Sequence, residues 1–467
     1  MDTDIATTCA RQIHFTDWLA GTLLRTEPEL ARRVLTLAWP AVVEQTLAMM
    51  ISLVDFYIVG HLGAAALDGV GLGGQMLSLT QAFLSAVGVG STALVARHIG
   101  AKEPEGATHT ARQSIVLAFG IGVAMALTTF VFARPIISLL GGEPEVVEQG
   151  TRYLATIAPS FVFVAILLIG NAVLRGAGDT RTPMLVMVVV NVINIGVAWS
   201  LTQGVAGLPK LGVIGSGLGA ASGQTIGGLI ILALLARGRV GIQLGPRLPQ
   251  WDAARIRRIL NIGLPAGAEQ ILLQLALTSL AAVIARFGTE AYAAHMVTWR
   301  IAQLSFLPGW GFAVAASTLV GQELGARQPQ RARESGYVAF RGALLVMVTM
   351  GIVIFALDRA LIRLFIDDPG VVAYGVPVLQ IAALIQPLMA GSFVFSGGLR
   401  GAGDTRATLN ITVFSVWGLR VVVTYLLGQM LGLALIGAWL AIGVDFAFRA
   451  AMFWWRFRSG KWQGIRV

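Results

Sequence analysis

Long apolar runs recur along this chain almost to its end, and no other feature constrains its fold as tightly. Read between polar breaks, they fall at 39–61, 70–96, 113–139, 153–174, 183–206, 212–236, 260–285, 291–321, 337–362, 374–398, 408–428 and 432–455. A helix of about 20 apolar residues crosses the hydrocarbon core of a bilayer. Charged residues make up 12% of the chain, against roughly a quarter in a soluble domain, so too few polar side chains exist to cover a water-facing surface. The reading is an all-α membrane protein with twelve transmembrane helices. Several runs exceed the minimum length and should tilt or project beyond the membrane.

The charges that remain are placed unevenly. The formal net charge is +10, which by itself could suggest a nucleic-acid partner. Most of the Lys and Arg, however, fall in the tails and in alternate loops, among them Arg32, Arg97, Arg175, Arg181, Arg255, Arg327, Arg400 and Arg458. Arg449 is counted with that group. The opposite loops hold Arg134, Arg152, Lys210, Arg286, Arg359 and Arg363. Basic residues accumulate in cytoplasmic loops, so both termini are expected in the cytoplasm, and the basic charge reads as a topology signal. Residues 1–38 read as a cytoplasmic tail with a surface amphipathic helix, and not as a cleaved leader. A single cysteine, Cys9, and five scattered histidines make a disulfide framework or a metal centre unexpected.

The chain also repeats itself. Leu174-Arg175-Gly176-Ala177-Gly178-Asp179-Thr180-Arg181 returns unchanged as Leu399 to Arg406, 225 residues on. The same offset aligns Pro40 with Pro265, Glu44-Gln45 with Glu269-Gln270, Gly63 with Gly288, Gly100-Ala101 with Gly325-Ala326, and Pro104 with Pro329. One register held over so long a stretch implies a duplicated structure. Six spans per copy is an even number, so the copies are parallel repeats about an axis along the membrane normal, with a central cleft between them. The expected domains are a tail (1–38), a first six-helix lobe (39–236), a cytoplasmic linker (237–259) containing Pro246 and Pro249, a second lobe (260–455) and a C-terminal tail (456–467).

Polar residues inside the spans are the candidates for function, because charge at the bilayer centre costs about 2.5–3.5 kcal/mol on insertion scales. Glu44 and Asp55 lie on one face of the first span, about 16 Å apart along its axis. No arginine is in evidence near Asp55. A buried carboxyl that no cation pins in its charged form can take up and release a proton, as a proton-coupled carrier requires; the alternative reading is a hydrogen bond between helices. Glu44 and Glu269 occupy equivalent positions, suited to a gate or to helix packing. Arg420 and Asp445 are expected to form a structural ion pair. Arg300 and Trp310 share a span with His295, Gln303, Pro308, Gly309 and Gly311, where proline and glycine permit a bend and suit a cavity wall. Asn191 and Asn194 lie three apart on the fifth span, as interhelical glue or as helpers of an ion site. The octapeptide reads as a structural cytoplasmic loop, with Thr182 capping the helix that begins at Pro183. It lacks the spacing and the lysine of a phosphate loop, so ATP is not expected to drive this chain.

These residues resemble the multidrug and toxic compound extrusion (MATE) transporters. The matches are Val54-Asp55 followed by Val59-Gly60-His61-Leu62-Gly63, Ala293-Ala294-His295, Leu-Arg-Gly-x-Gly-Asp-Thr-Arg in both halves, and the stretch from Asn191 to Ile195. The resemblance runs from about residue 35 to 455. It implies an N-lobe and a C-lobe that export cationic or amphipathic organic compounds against inward H⁺ or Na⁺, with Asp55 as the coupling residue and Asn194 beside it. Two positions depart from the family pattern. Ala198 stands where many members have an aspartate, and Met389 stands where members with a C-lobe site have an acid. The resemblance therefore implies coupling through the N-lobe, with protons favoured over Na⁺.

The competing reading is a flippase for lipid-linked precursors, which usually has a strongly cationic central cavity. Here only Arg300 and Arg420 are expected within reach of one. A membrane-embedded enzyme would need acids or histidines clustered at one membrane face, and no such cluster is seen. The full expectation is a monomeric carrier in the plasma membrane, without a cofactor beyond its coupling ion. Its partners would be small-molecule substrates and the lipid bilayer, not nucleic acid or ATP.

Overall fold

A computed structural model describes residues 28–140, 143–238, 240–245 and 251–465. The expected surface helix of the N-terminal tail, Cys9, and the linker prolines Pro246 and Pro249 lie outside the described residues. Among those described, twelve helices are long and apolar enough to cross a membrane: α1 Pro28–Gly60, α2 Ala64–Gly100, α3 Pro104–Leu139, α4 Pro144–Ala177, α5 Arg181–Gln203, α6 Val213–Arg237, α7 Ala253–Ala285, α8 Thr289–Gly325, α9 Pro329–Ala356, α10 Pro369–Gly401, α11 Thr405–Met430 and α12 Ala434–Arg458. The chain is thus a multi-pass membrane protein.

Most helices begin before their apolar runs, because polar first turns project past any hydrocarbon layer, whereas α6 and α12 begin one or two residues inside theirs. The ends vary, and α9 departs furthest: it stops at Ala356, and Asp358–Arg363 forms a separate short helix. Local signals account for many of the ends. Proline occupies the first turn of α3, α4, α9 and α10, where its missing N–H leaves nothing unsatisfied. The Asp252 and Asp368 carboxylates accept the Arg255 and Val371 backbone N–H groups, capping α7 and α10. Large apolar side chains such as Leu127, Phe130, Ile352 and Leu384 are exposed, as suits a lipid-facing surface.

The repeated octapeptide is not a free loop. Leu174–Ala177 and Leu399–Gly401 are the last turns of α4 and α10, and Arg181 and Thr405 already begin α5 and α11. Thr182 is not the cap either. The Asp179 carboxylate accepts both the Thr182 N–H (2.9 Å) and its hydroxyl (2.6 Å), so the acid one turn earlier caps α5. Its counterpart Asp404 instead accepts from Arg456 Nε on α12 at 2.7 Å.

Within the first half α2 packs on α3 and α4, α1 on α5, and α5 on α6; within the second, α8 packs on α9 and α10, α10 on α12, and α7 on α11. The halves meet chiefly through α1 with α8, α2 with α7, and α2 with α8. These contacts obey the 225-residue offset. A Cβ on Gly263 would lie 1.7 Å from the Ala86 carbonyl oxygen, and one on Gly311 would lie 2.8 Å from that of Ala38. Further along, a Cβ on Gly100 would fall 1.8 Å from Gln322 O, and one on Gly325 would fall 2.0 Å from Arg97 O. Only glycine permits such approach between helix backbones.

All of these crossings lie toward one end of the bundle, the end that carries most of the arginines. Side chains tie the halves there as well. Arg33 pairs with Glu323 at 2.8 Å. Arg97 donates to Ala402 O at 3.1 Å, and Gln322 donates to Gly176 O at 3.1 Å. Arg255 meets His98, and His109 meets Asp252, each at 2.8 Å.

Candidate functional site

In the first half, α1 turns Asp55 inward. Its residue is 8% exposed, it makes no ion pair among the described residues, and its Oδ1 is buried without a hydrogen-bond partner. It lines a cavity of about 280 Å³ together with Ser52, Gln81, Tyr153, Ser160 and Gln224. Tyr153 is buried in the wall of this cavity. Asn194 of α5 is the amide that approaches Asp55, but neither its nitrogen nor its oxygen completes a hydrogen bond. Asn191 does not join them: its Nδ2 donates to Met187 O at 2.8 Å within its own helix. Ala198 is fully buried and packs against Gly219, so no second acid stands at that position.

Phe56, Leu67 and Gly71 line both this cavity and a wider one of about 970 Å³ at the arginine-poor end of the bundle. The wider cavity also carries Asp68, Glu143, Glu145 and Gln149. The unpaired acid thus sits behind an acidic mouth.

A third cavity, of about 250 Å³, lies between the halves just above the layer where they touch. Its walls follow the internal repeat: Ser85 and Trp310, Thr92 and Ser317, and Arg175 and Arg400, each pair 225 residues apart, all line it. Gln45 and Gln81 line it from the first half, without their counterparts Gln270 and Phe306. Gln81 therefore lines both the Asp55 cavity and the central one. Trp310 stands at the cavity wall, as its span was expected to. Arg300 does not. It is exposed on α8 and is absent from the lining of this cavity.

Glu44 and Glu269 lie behind the two cavity arginines. Glu44 Oε1 accepts from Arg175 Nη1 (2.8 Å) and Asn171 Nδ2 (3.2 Å). Glu269 accepts from Arg400 Nη2 (2.8 Å) and from the Thr408 and Thr412 hydroxyls (3.1 and 2.8 Å). The expected arginine supply of the cleft is thereby corrected. Arg300 and Arg420 do not reach its floor, and the octapeptide arginines do.

In the second half, the equivalent of Asp55 is Leu280, buried in the core, and Met389 is likewise packed there. The acid of this half, Asp445, is fully buried and takes hydrogen bonds from Ser415 (2.6 Å), Arg449 (2.6 Å) and Arg420. Arg449, grouped with the cytoplasmic basic residues on sequence, is 6% exposed inside α12; placement four residues after Asp445 makes it a pairing residue. Arg420 ends a π-helical stretch, Phe414–Arg420, which helps aim it at α12. His295 accepts from Trp439 Nε1 at 3.2 Å and belongs to the core.

Gln81, Tyr153 and Gln224 were not anticipated. Gln81 had a signal, as a lone amide within an apolar run. Tyr153 and Gln224 gained their place only when α4 and α6 closed around Asp55.

Comparison with known proteins places these cavities in a family. The MatE family model matches residues 40–200 and 265–426, one match in each half. A probable multidrug resistance protein NorM from Thermotoga maritima is 31% identical over 440 residues, covering 93% of this chain and 94% of the relative. The multidrug resistance protein PmpM of Pseudomonas aeruginosa is 28% identical over 409 residues, 87% of this chain and 85% of the relative. Among solved structures, the outward-facing conformation of a multidrug resistance MATE transporter superposes with a TM-score of 0.86 at 24% identity, covering 94% of this chain and 98% of that one. A MOP superfamily transporter from Pyrococcus furiosus superposes equally well. Twelve membrane-spanning helices in two matching halves, with a relative above 30% identity along nearly their whole length, show that the chain belongs to the MatE family of multidrug and toxic compound extrusion transporters.

Proposed function

We propose that this chain is a secondary active efflux carrier that exports small cationic or amphipathic organic compounds in exchange for H⁺ by alternating access. The observation that carries the reading is Asp55, a buried carboxyl with an unpartnered oxygen in a cavity of the first half. A buried carboxylate is costly unless paired, so one left without a cation is suited to carrying a proton that it later releases.

Assigning the arginine-rich end to the cytoplasm puts both termini inside. The layer of helix crossings at Gly100, Gly263, Gly311 and Gly325 then closes the cytoplasmic side, and the acidic mouth faces out. Protons would enter from that mouth, reach Asp55, and bias the halves toward reopening inward. Gln81, shared by the ion cavity and the central cavity, is placed to let occupancy of one alter the other. No ATP is required of the chain in this scheme.

Reconstitution in liposomes with an imposed pH gradient tests the reading. Asp55→Asn should abolish proton flux coupled to export of a fluorescent organic cation while the protein still folds and inserts. Coupled flux unchanged in that variant would overturn the role of Asp55.

A further inference from the structure

The geometry points to a subsite for a planar aromatic carboxylate on the floor of the central cleft, held by Arg175, Arg400 and Trp310. It rests on the export reading only for the claim that the ligand is cargo; the binding claim stands alone.

The floor cavity contains no acidic residue among its lining side chains, which are apolar or neutral apart from the two arginines. Those arginines are not spent. A guanidinium carries five N–H donors. Arg175 takes Glu44 through Nη1, and Arg400 takes Glu269 through Nη2. Arg400 Nε is buried and has no hydrogen-bond partner among the described residues. Both glutamates sit behind their arginines, at 7% and 2% exposure, so the cavity meets the cationic side of each pair. An organic ammonium would face two guanidinium groups there. A carboxylate would complete their hydrogen bonding, and charge-assisted bonds of this kind are among the stronger polar contacts.

The repeat shows where the rest of the ligand goes. At the one wall position where the halves differ most, the first has Ser85 and the second has Trp310. Trp310 is held against Phe393, with ring centroids 5.8 Å apart and planes at 33°, so its free face is a fixed platform for a flat ring. Gln45 and Gln81 opposite can accept or donate to ring substituents. At about 250 Å³ the floor is smaller than usual sites for drug-sized ligands. It suits a bicyclic acid, or the acidic end of a longer amphipathic molecule.

Three matched probes test this on the intact protein in lipid nanodiscs: 2-naphthoate, neutral 2-naphthamide and cationic 2-naphthylmethylammonium, each followed by equilibrium binding. The carboxylate should bind about tenfold more tightly than the amide, with the ammonium weakest. Trp310→Ala should weaken all three while preserving their order. Arg400→Lys, which keeps the charge but loses the planar fork, should shrink the carboxylate preference. Equal binding of carboxylate and amide, or tighter binding of the ammonium, overturns the subsite. Selective naphthoate binding without gradient-driven naphthoate export upholds the subsite and overturns the claim that its ligand is cargo. Gradient-driven export of an organic cation by a protein that shows no carboxylate preference overturns the subsite and leaves the export reading standing.

Discussion

Beside the matched pair Glu44 and Glu269, each half of the molecule buries a further acid in a span, Asp55 in the first and Asp445 in the second, and these two could hardly be treated more differently. Asp445 in the second half is enclosed by Arg420, Arg449 and Ser415. Asp55 in the first half has no cation and leaves an oxygen unpartnered at the edge of a cavity. Two arginines and a hydroxyl bonded to one carboxylate hold α11 and α12 together. An isolated carboxyl with room beside it ties no helices together, which is why the proposed proton exchange is placed there and not at Asp445. The contrast teaches that a duplicated fold can assign structure to one copy and working chemistry to the other.

The sharpest way to break this comparison is to swap the fates of the two acids. Asp445→Ala leaves two buried guanidinium groups unpaired, and breaking a buried ion pair from one side costs about 3–5 kcal/mol. Little folded protein should survive detergent extraction, as read by size-exclusion chromatography. Asp55→Leu copies the second half's Leu280 into the first. Removing an unsatisfied buried polar group should leave thermal stability unchanged or raise it by about 1–2 kcal/mol, while coupled transport in liposomes disappears. If Asp55→Leu unfolds the protein, the acid is structural and the comparison fails.

Smaller effects sharpen it. Glu269 has one arginine and two hydroxyl partners, whereas Glu44 has one arginine and one amide. Glu269→Gln should therefore cost more stability than Glu44→Gln, by about 1 kcal/mol, in parallel thermal melts. The smallest effect concerns the linker side. Asp252 caps α7 and bonds His109, and the His109 hydrogen bond, followed by the backbone N–H of Arg255, holds its carboxyl below the usual carboxylate range. A depressed carboxyl contributes stability above its ordinary titration range and loses it as pH falls. Asp252→Ala should lower the melting temperature slightly at neutral pH, and the gap from wild type should close in acid.

Much of this was legible in the sequence because its signals are one-dimensional. Helix number follows from run length, and duplication from identity at one offset. Asp55 was legible because a lone acid in an apolar run stands out whatever surrounds it. The Arg420–Asp445 pair was legible because only those charges sat at matching depth in adjacent spans. Arg449 was misplaced because depth cannot be judged near a helix end from composition. The octapeptide was read as a loop because glycine and aspartate favour turns, although its Leu-Arg-Gly portion finishes a helix.

By itself, then, the sequence determined an all-α membrane protein, its twelve spans and its internal repeat, since hydrocarbon solvation and chain duplication act on each segment independently. Tertiary structure alone decided which polar side chains meet. It brought Arg175 and Arg400 to one cavity floor while placing Arg300 on an exposed face, turned Asn191 to its own helix, and let Gln81 border two cavities. Those outcomes depend on the rotation and approach of whole helices, which backbone contacts at Gly100, Gly263, Gly311 and Gly325 set across hundreds of residues of chain.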